Sequence, residues 1–186
     1  MKNQDRKEVE IKLRVGSVEQ AKRLLRTAGF KVSKRRIFES NTVFDTSSLE
    51  LRASSRLLRL RQSGNAHILT FKGTPTAGRH KTREEIETSL GDAEALREIL
   101  ARLGFKVVFR YEKYRTEFRR PDEAGLATLD ETPIGVFLEL EGSPTWIDRA
   151  ARLLGFSESD YLTESYGGLF LQWCSKKGIK SDRMVF

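Results

Sequence analysis

Two Glu-x-Glu pairs, Glu8 with Glu10 and Glu139 with Glu141, have a spacing that places both carboxylates of each pair on one face of a strand. The pairs belong to a set of seven acids on alternating segments: Glu8, Glu10, Glu85, Glu87, Asp130, Glu139 and Glu141. Carboxylates that crowd together repel one another, and some take up protons unless a cation lies among them. Their oxygens suit Mg²⁺ or Mn²⁺. The pattern therefore predicts a site for a divalent cation.

Basic residues alternate with apolar residues on the same kind of segment. They are Lys12, Arg59, Arg61, Lys72, Arg83, Lys113 and Arg115. Cross-strand salt bridges with the acids are one interpretation, but burying so many ion pairs carries a heavy desolvation cost. A small anion with several charges that also binds metal would satisfy bases and acids together. Polyphosphate fits, because arginine forks onto phosphate oxygens, lysine neutralises charge and a metal bridges the oxygens.

The strands that carry these residues have one charged face and one apolar face. From Glu8 to Val15, charged and aliphatic residues alternate without interruption, and such a strand in isolation is typical of a solvated surface. Amphipathic helices begin near Val18, Leu96 and Trp146, and they need an apolar sheet face to pack on. The charged face then either lines a barrel, with helices outside, or meets water in an open sheet. The patterning favours the barrel.

An internal repeat supports this geometry. The segment Gly29–Val32 recurs almost unchanged at Gly104–Val107, an offset of 105 − 30 = 75 that also takes Glu10 to Glu85. Each copy runs from a charged strand through a helix into a long strand. Equivalent units would bring their acidic residues to equivalent places.

Composition narrows the class of protein. A chain of 186 residues fits one domain, and it holds no apolar run long enough to span a membrane and no apolar signal-peptide core. A single cysteine, Cys174, fits a reducing cytoplasm. The net charge of +8 indicates an anionic partner. The strand aromatics are typical of packing residues and no P-loop is present, so we expect neither nucleic acid nor membrane as a partner.

The residues resemble the CYTH superfamily of triphosphate tunnel metalloenzymes. Its members include class IV adenylate cyclases, thiamine triphosphatases and inorganic triphosphatases. The likeness covers nearly the whole chain: a Glu-x-Glu-x-Lys signature at Glu8–Lys12, then 41–45, 58–61, 70–73, 83–87, 113–115, 129–130, 137–141 and 165–166. The sequence departs from the family pattern at Val43, where an aromatic residue is usual.

The resemblance implies an α+β fold, an eight-stranded antiparallel β-barrel with a charged lumen and helices packed outside. It implies a single domain over residues 1–186, with a core over about 7–174 and a C-terminal tail over 175–186. That tail is either frayed or docked on a partner subunit.

The resemblance also implies individual roles. By position, the metal ligands would be Glu8, Glu10, Glu139 and Glu141, with Asp130 and Glu87 assisting a second ion. The phosphates would be clamped by Arg59, Arg61, Lys72, Arg83, Lys113 and Arg115. Lys12 would contact phosphate or steer proton transfer, forming a catalytic set with Glu8 and Glu10. Apart from the resemblance, Arg14 shares the charged face of Lys12 on this strand and is also expected to turn toward phosphate. Tyr166 is either a tunnel residue or a helix-packing residue.

The reaction itself is open to three readings. Hydrolysis of a small triphosphate with Mg²⁺ or Mn²⁺ is favoured, because no segment of the sequence indicates a binding site for adenine. The alternative is a class IV adenylate cyclase that forms cyclic AMP and pyrophosphate. The third reading is a polyphosphate-binding module without turnover. The sequence leaves open the identity of the triphosphate, the number of metal ions and a homodimeric state.

Overall fold

The computed structural model describes residues 6–186 and consists of strands that form one sheet and helices on its outside. The strands are β1 Lys7–Val15, β2 Lys31–Asp45, β3 Leu57–Ser63, β4 Ala66–Lys72, β5 Lys81–Leu90, β6 Lys106–Arg119, β7 Leu126–Thr132, β8 Gly135–Glu141 and the short β9 Arg183–Met184. The helices are α1 Val18–Thr27, α2 Glu50–Ala53, α3 Ala93–Arg102, α4 Pro144–Leu153 and α5 Tyr166–Lys177, and a 3₁₀ turn covers Glu158–Asp160.

The sheet closes on itself. Its order is β2-β3-β4-β5-β1-β8-β7-β6, and β2 pairs again with β6 along most of its length. The pairings of these eight strands are all antiparallel. The predicted eight-stranded antiparallel barrel is therefore confirmed, and β9 pairs in parallel with β6 at Arg110 and Tyr111.

The register of the strands turns the charged faces inward. Lys12 lies opposite Glu139, Glu10 opposite Glu141 and Glu8 opposite Arg83. Residues between them in sequence therefore point outward, because side chains alternate along a strand.

The outward side chains of β1, β7 and β8 form the main apolar core with α1 and α4. Ile11 and Leu13 are fully buried in this cluster, as are Leu25 of α1 and Ile147 of α4. A second cluster under α3 covers β2 and β3. The hydrophobic effect thus acts on the outside of the barrel wall, and the lumen is left for charge.

The helix boundaries follow the sequence signals. Ser17 and Asp92 cap α1 and α3 by accepting hydrogen bonds from backbone N–H groups. Gly29 and Gly104, the repeated glycines, end these helices with φ of +81° and +88°, a conformation that costs little only for glycine. The repeat corresponds to two units, β1-α1-β2 and β5-α3-β6, whose long strands β2 and β6 pair with each other.

The C-terminal region differs from the sequence expectation. The tail predicted to begin at Ser175 starts inside α5, and the chain then folds back along its own barrel. Met184 of β9 is 1% exposed in a cluster with Phe170 and Tyr111, because burial of apolar area holds the tail down. Within residues 6–186, no helix is both long and apolar enough to cross a bilayer.

Candidate active site in the barrel lumen

The barrel encloses a charged cavity of about 220 Å³. Every predicted site residue lines it except Arg14 and Asp130, and Asp130 lies on the inward face beneath Lys113 and Arg115. Among residues 6–186, eight bases line the cavity: Lys12, Arg59, Arg61, Lys72, Lys81, Arg83, Lys113 and Arg115. Seven acids do so: Glu8, Glu10, Glu85, Glu87, Glu117, Glu139 and Glu141. The structure therefore brings together residues from distant parts of the chain at one site.

Glu8 is held between two bases. Its Oε1 accepts a hydrogen bond from Lys72 Nζ at 2.5 Å, and its Oε2 accepts one from Arg83 Nε at 3.1 Å. Lys72 also lies 3.1 Å from Glu85. Burial raises the pKa of Glu85 to about 7, and the neighbouring Glu8 carboxylate adds to the rise although Lys72 opposes it. Glu85 is therefore the acid of this group whose charge is least compensated.

Lys12 bridges the two Glu-x-Glu pairs. Its Nζ lies 3.3 Å from Glu10 and 3.1 Å from Glu139. Burial alone would lower its pKa, but the two carboxylates outweigh burial and raise it above the ordinary lysine value. Lys81 lies 3.4 Å from Glu10, and burial together with the charge of Lys12 lowers its pKa to about 8. The site thus contains two different lysines. The cationic form of Lys12 is stabilised by carboxylates, whereas the cationic form of Lys81 is stabilised less.

Asp130 organises the opposite wall. It is fully buried, and it accepts hydrogen bonds from Lys113 at 2.8 Å, from Arg115 at 2.5 and 2.7 Å, and from the Tyr166 hydroxyl at 2.7 Å. Arg115 also donates to Glu139. The oxygens of Asp130 are therefore occupied by bases, a geometry that suits a positioning role. Its assistance to a second metal ion stays a prediction.

Two arginines of β3 form a third group. Arg59 donates to the Tyr111 hydroxyl at 3.1 Å and to Thr70 at 3.2 Å. Arg61 reaches Glu87 at 3.4 Å, and Thr70 donates to the same carboxylate at 2.7 Å. Burial would raise the pKa of Glu87, but these partners lower it below the ordinary value. Both of these β3 arginines, which were predicted to bind phosphate, line the cavity.

Two sequence expectations have specific outcomes. Tyr166 is buried at the first turn of α5 and lines the cavity, with Lys12 and Lys113 5.3 and 5.1 Å from its ring centre. Arg14 lies elsewhere: it donates to the Ile134 carbonyl at 3.2 Å and stacks on Phe137. The role of Arg14 toward phosphate is therefore not supported by its position at the end of β1.

Lys81 and Tyr111 also line the cavity and were missed in the sequence. The signal for Lys81 was present, since it continues the alternation of Arg83 and Glu85 by one step along β5. Glu39 carried no such signal. It is 3% exposed on β2 and lies 3.7 Å from Lys113, but polar residues occupy both faces of that part of the strand.

The acids fit a hard divalent cation by their chemistry. Among residues 6–186, no three carboxylates or imidazoles already converge as a ligand set, because bases separate them. Among the predicted metal ligands, Glu141 shows the unmet charge most clearly: partial burial of its carboxylate and the neighbouring carboxylate of Glu8 raise its pKa. An anion that draws the bases away would leave several carboxylate oxygens free for a cation.

A second cavity of about 480 Å³ adjoins the first. We call it the vestibule and define it by the residues that line it alone, among them Val43, Phe109, Gly168 and Leu171. The two cavities share a boundary formed by Leu57, Lys81, Arg83, Tyr111, Ser165 and Tyr166. The vestibule therefore lies at one end of the charged tunnel.

The fold and the lumen define a class, a closed antiparallel tunnel with acids and bases lining its interior. Comparison with known proteins agrees: the CYTH domain family matches residues 6–166. A protein of Methanocaldococcus jannaschii with the provisional name adenylate cyclase is 33% identical over 148 residues, 79% of this chain and 83% of its own. The chain belongs to the CYTH family.

Solved structures share the architecture. The PH1819 protein of Pyrococcus horikoshii superposes with a TM-score of 0.74 at 27% identity, covering 89% of this chain and 99% of that one. A Hippeastrum protein with the provisional name adenylyl cyclase, described as revealing a dominant triphosphatase activity, gives a TM-score of 0.61 at 16% identity over 94% of this chain and 97% of its own. At that identity the likeness shows the fold alone.

Proposed function

We propose that the protein is a divalent-metal-dependent hydrolase that cleaves a small triphosphate inside the tunnel. The observation that carries the proposal is the near balance of charge around one cavity, eight bases against seven acids. A barrel wall that needed only stability would be served as well by apolar side chains, because buried ion pairs gain little over a packed apolar core. The balance suits a ligand that brings both signs of charge, which is what a metal–triphosphate complex does.

The exchange of partners supports this assignment. A triphosphate that binds Lys72, Arg83 and Arg115 takes over bases that now neutralise Glu8 and Glu139. The released carboxylates would then repel one another in a buried site. A cation that enters with the triphosphate removes that repulsion, so we infer that anion and metal bind together.

Each group has a defined part in this mechanism. Glu8, Glu10, Glu139 and Glu141 would hold the metal, which when bound supplies positive charge to the phosphate oxygens. The phosphate oxygens would be bound by Arg59, Arg61, Lys72, Arg83, Lys113 and Arg115, all of which line the cavity. Lys12 lies centrally between Glu10 and Glu139 and would contact phosphate as a cation. Asp130 would orient Lys113 and Arg115.

Hydrolysis needs water at the scissile phosphorus, and one end of the tunnel supports that requirement. Glu87 and Glu141 line the tunnel, lie outside the vestibule and are exposed to solvent. A triphosphate bound among the bases would therefore have one end near the solvent-exposed end of the tunnel. This arrangement favours attack by water on a terminal phosphorus.

Cyclisation of ATP is the second candidate, and the name of the 33%-identical relative from M. jannaschii favours it. The two reactions use the same bases and metal but break different bonds. Attack on the terminal phosphorus releases orthophosphate. Attack of a ribose hydroxyl on the α-phosphorus releases pyrophosphate and cyclic AMP.

A panel of substrates tests the proposal. The protein is incubated separately with tripolyphosphate, ATP and thiamine triphosphate, with Mg²⁺ or Mn²⁺ and with a chelator. We expect orthophosphate release that stops with the chelator. Formation of cyclic AMP from ATP would identify the reaction as cyclisation and not hydrolysis. Tight triphosphate binding without any product would indicate a binding module. Glu139→Gln should abolish turnover, whereas Glu131→Gln, on the outer side of the adjacent strand β7, should not.

A further inference from the structure

Helices cover the outside of the barrel unevenly. Side chains of α1 and α4 together enclose the outward face of β1, β7 and β8 in the main apolar core. Over β3, the apolar cluster in residues 6–186 contains side chains of α3 and of no other helix. Leu60 of β3 is 1% exposed under α3, whereas Ile86 of β5 is 39% exposed. Burial on the outward face therefore decreases from β3 toward β5.

The internal repeat allows α1 and α3 to be compared position by position. The offset of 75 takes Leu24 and Ala28 of α1 to Ile99 and Leu103 of α3. Leu24 and Ala28 are partly buried against the main core, to which α4 contributes. Ile99 and Leu103 are 55% and 68% exposed. The equivalent positions are apolar in both helices, but in the described part of the chain only those of α1 are packed.

The exposed side of α3 is turned toward β4 and β5. Arg97 donates a hydrogen bond to the Thr42 hydroxyl of β2 at 3.4 Å, so that side of the helix faces β2. Ile99 lies about 160° around the helix from Arg97, and therefore on the side of β4, because β3 lies between β2 and β4. Phe71 of β4 and Ile86 of β5 lie opposite each other and point outward, since their neighbours Lys72 and Glu85 line the tunnel. We call this surface the α3 face and define it by Phe71, Ile86, Ile99 and Leu103.

The charges around the α3 face do not favour an anionic partner. Both arginines of α3 are paired within the helix, Arg97 with Glu94 at 3.2 Å and Arg102 with Glu98 at 3.0 Å. On β5, the exposed Glu84 adds a negative charge. A phosphate backbone or an anionic lipid would therefore find little free positive charge here. The whole chain carries a net charge of +8, so two copies repel each other at a basic surface, and the α3 face allows them to approach without that repulsion.

We infer that the α3 face is the interface of a homodimer, in which the α3 helices of two copies lie side by side and antiparallel about a two-fold axis. Such an interface uses the same surface on both copies and closes at two. The first turn of α3 carries Glu94 and its last turn carries Arg102, so an antiparallel pair places acid beside base at both ends. Burial of the aliphatic side chains of Ile99, Leu103 and Ile86 supplies the driving force.

The partner helix would occupy beside α3 the place that α4 occupies beside α1. The two copies would then complete over β4 and β5 the apolar layer that α1 and α4 complete over β1 and β8. This interface lies on the outside of the barrel and does not depend on which reaction occurs in the tunnel.

Sedimentation velocity of the full chain tests the interface. We expect the wild type to sediment with twice the mass of one chain. Ile99→Glu and Ile86→Glu, on two different elements of the α3 face, would each bury unpaired charge in the dimer. Each should raise the dissociation constant of the dimer at least about tenfold. The control is Leu153→Glu on α4, where the leucine is 48% exposed, and it should leave the dissociation constant unchanged.

Far-UV circular dichroism checks that each variant is folded, which we expect because every substituted side chain is exposed in the single chain. A wild-type protein with the mass of one chain would overturn the inference. A dimer that persists unchanged in Ile99→Glu or in Ile86→Glu would also overturn it, because the contact would then lie elsewhere. The same weakening in Leu153→Glu would have that meaning too, since α4 is not part of the α3 face.

Discussion

Asp130→Asn removes one negative charge from the most completely buried ion cluster of the barrel without changing the shape of the side chain. Asp130 is 0% exposed and accepts hydrogen bonds from Lys113, Arg115 and Tyr166. After the substitution Arg115 keeps Glu139 as a partner. Among residues 6–186, Lys113 keeps Glu39, at 3.7 Å, as its one remaining carboxylate partner. One buried lysine is therefore left poorly compensated.

The expected cost follows from that lysine. Removing one partner of a buried ion pair destabilises a protein by about 3–5 kcal/mol, and the partner that Arg115 retains argues for the lower value. For a domain of this size each kcal/mol lowers Tm by about 2–4 °C. We therefore expect Asp130→Asn to lower Tm by roughly 6–12 °C.

The assay is thermal unfolding followed by far-UV circular dichroism, with and without tripolyphosphate. The control is Glu131→Gln, the adjacent residue of β7, whose partner Arg36 is exposed. A pair of this kind contributes about 0–1 kcal/mol, so the control should unfold within about 2–4 °C of the wild type. Tripolyphosphate should raise the Tm of Asp130→Asn more than that of the wild type, because it supplies the negative charge that Lys113 has lost.

Two results would refute this reasoning. A Tm of Asp130→Asn equal to that of the control would mean that the buried cluster contributes no net stability. An identical gain from tripolyphosphate in wild type and variant would mean that Lys113 does not face the bound anion.

Three further predictions concern other parts of the structure. Glu141→Gln should raise the Mg²⁺ concentration needed for half-maximal turnover by roughly tenfold. The control Glu131→Gln should leave that concentration unchanged. An unaltered Mg²⁺ dependence of Glu141→Gln would remove Glu141 from the proposed metal ligands. Gly125→Ala should destabilise the protein by about 1–3 kcal/mol in urea unfolding, because a Cβ there would lie 2.1 Å from the indole of α4. The control Gly91→Ala should be neutral, because a Cβ at Gly91 would have no atom within 4 Å. Equal stabilities of the two variants would contradict this packing. Burial would raise the pKa of Asp148, but hydrogen bonds from its neighbours, chiefly a histidine, lower it below 3.8. The carboxylate therefore adds stability above about pH 4 that is lost as the pH falls through the lowered pKa. Asp148→Asn should accordingly be less stable than wild type at pH 7, by a margin that shrinks below pH 4, and a margin independent of pH would exclude this cause.

The lumen was predictable from sequence because strand periodicity fixes which face a residue occupies. Glu8, Glu10 and Lys12 needed only their alternation with aliphatic residues to be placed on one wall, and β1 confirms it. The alternation of residues along a strand does not indicate how deeply a side chain is buried. Asp130 also lies on the inward face, yet it is placed behind Lys113 and Arg115, and its carboxylate oxygens accept hydrogen bonds from both of them.

The vestibule was not predictable for a different reason. It depends on how α5 and the tail pack across one end of the barrel, and local pattern does not report such packing. The apolar stripe of Tyr166, Leu169, Phe170 and Cys174 is buried, but Gly167 and Gly168 in the first turn weaken the helix signal. The tail is rich in lysine, and the burial of Met184 that fixes it is a tertiary contact.

The central claim is that a triphosphate is cleaved at its terminal phosphorus inside the tunnel, and ³¹P nuclear magnetic resonance tests it most directly. The protein is mixed with ATP, tripolyphosphate and Mg²⁺, and the phosphorus signals are followed over time with and without a chelator. The proposed function predicts growth of orthophosphate together with ADP or pyrophosphate, at a rate that Glu139→Gln abolishes and Glu131→Gln leaves unchanged. Conversion of ATP into pyrophosphate and cyclic AMP, or a spectrum that does not change, would contradict it.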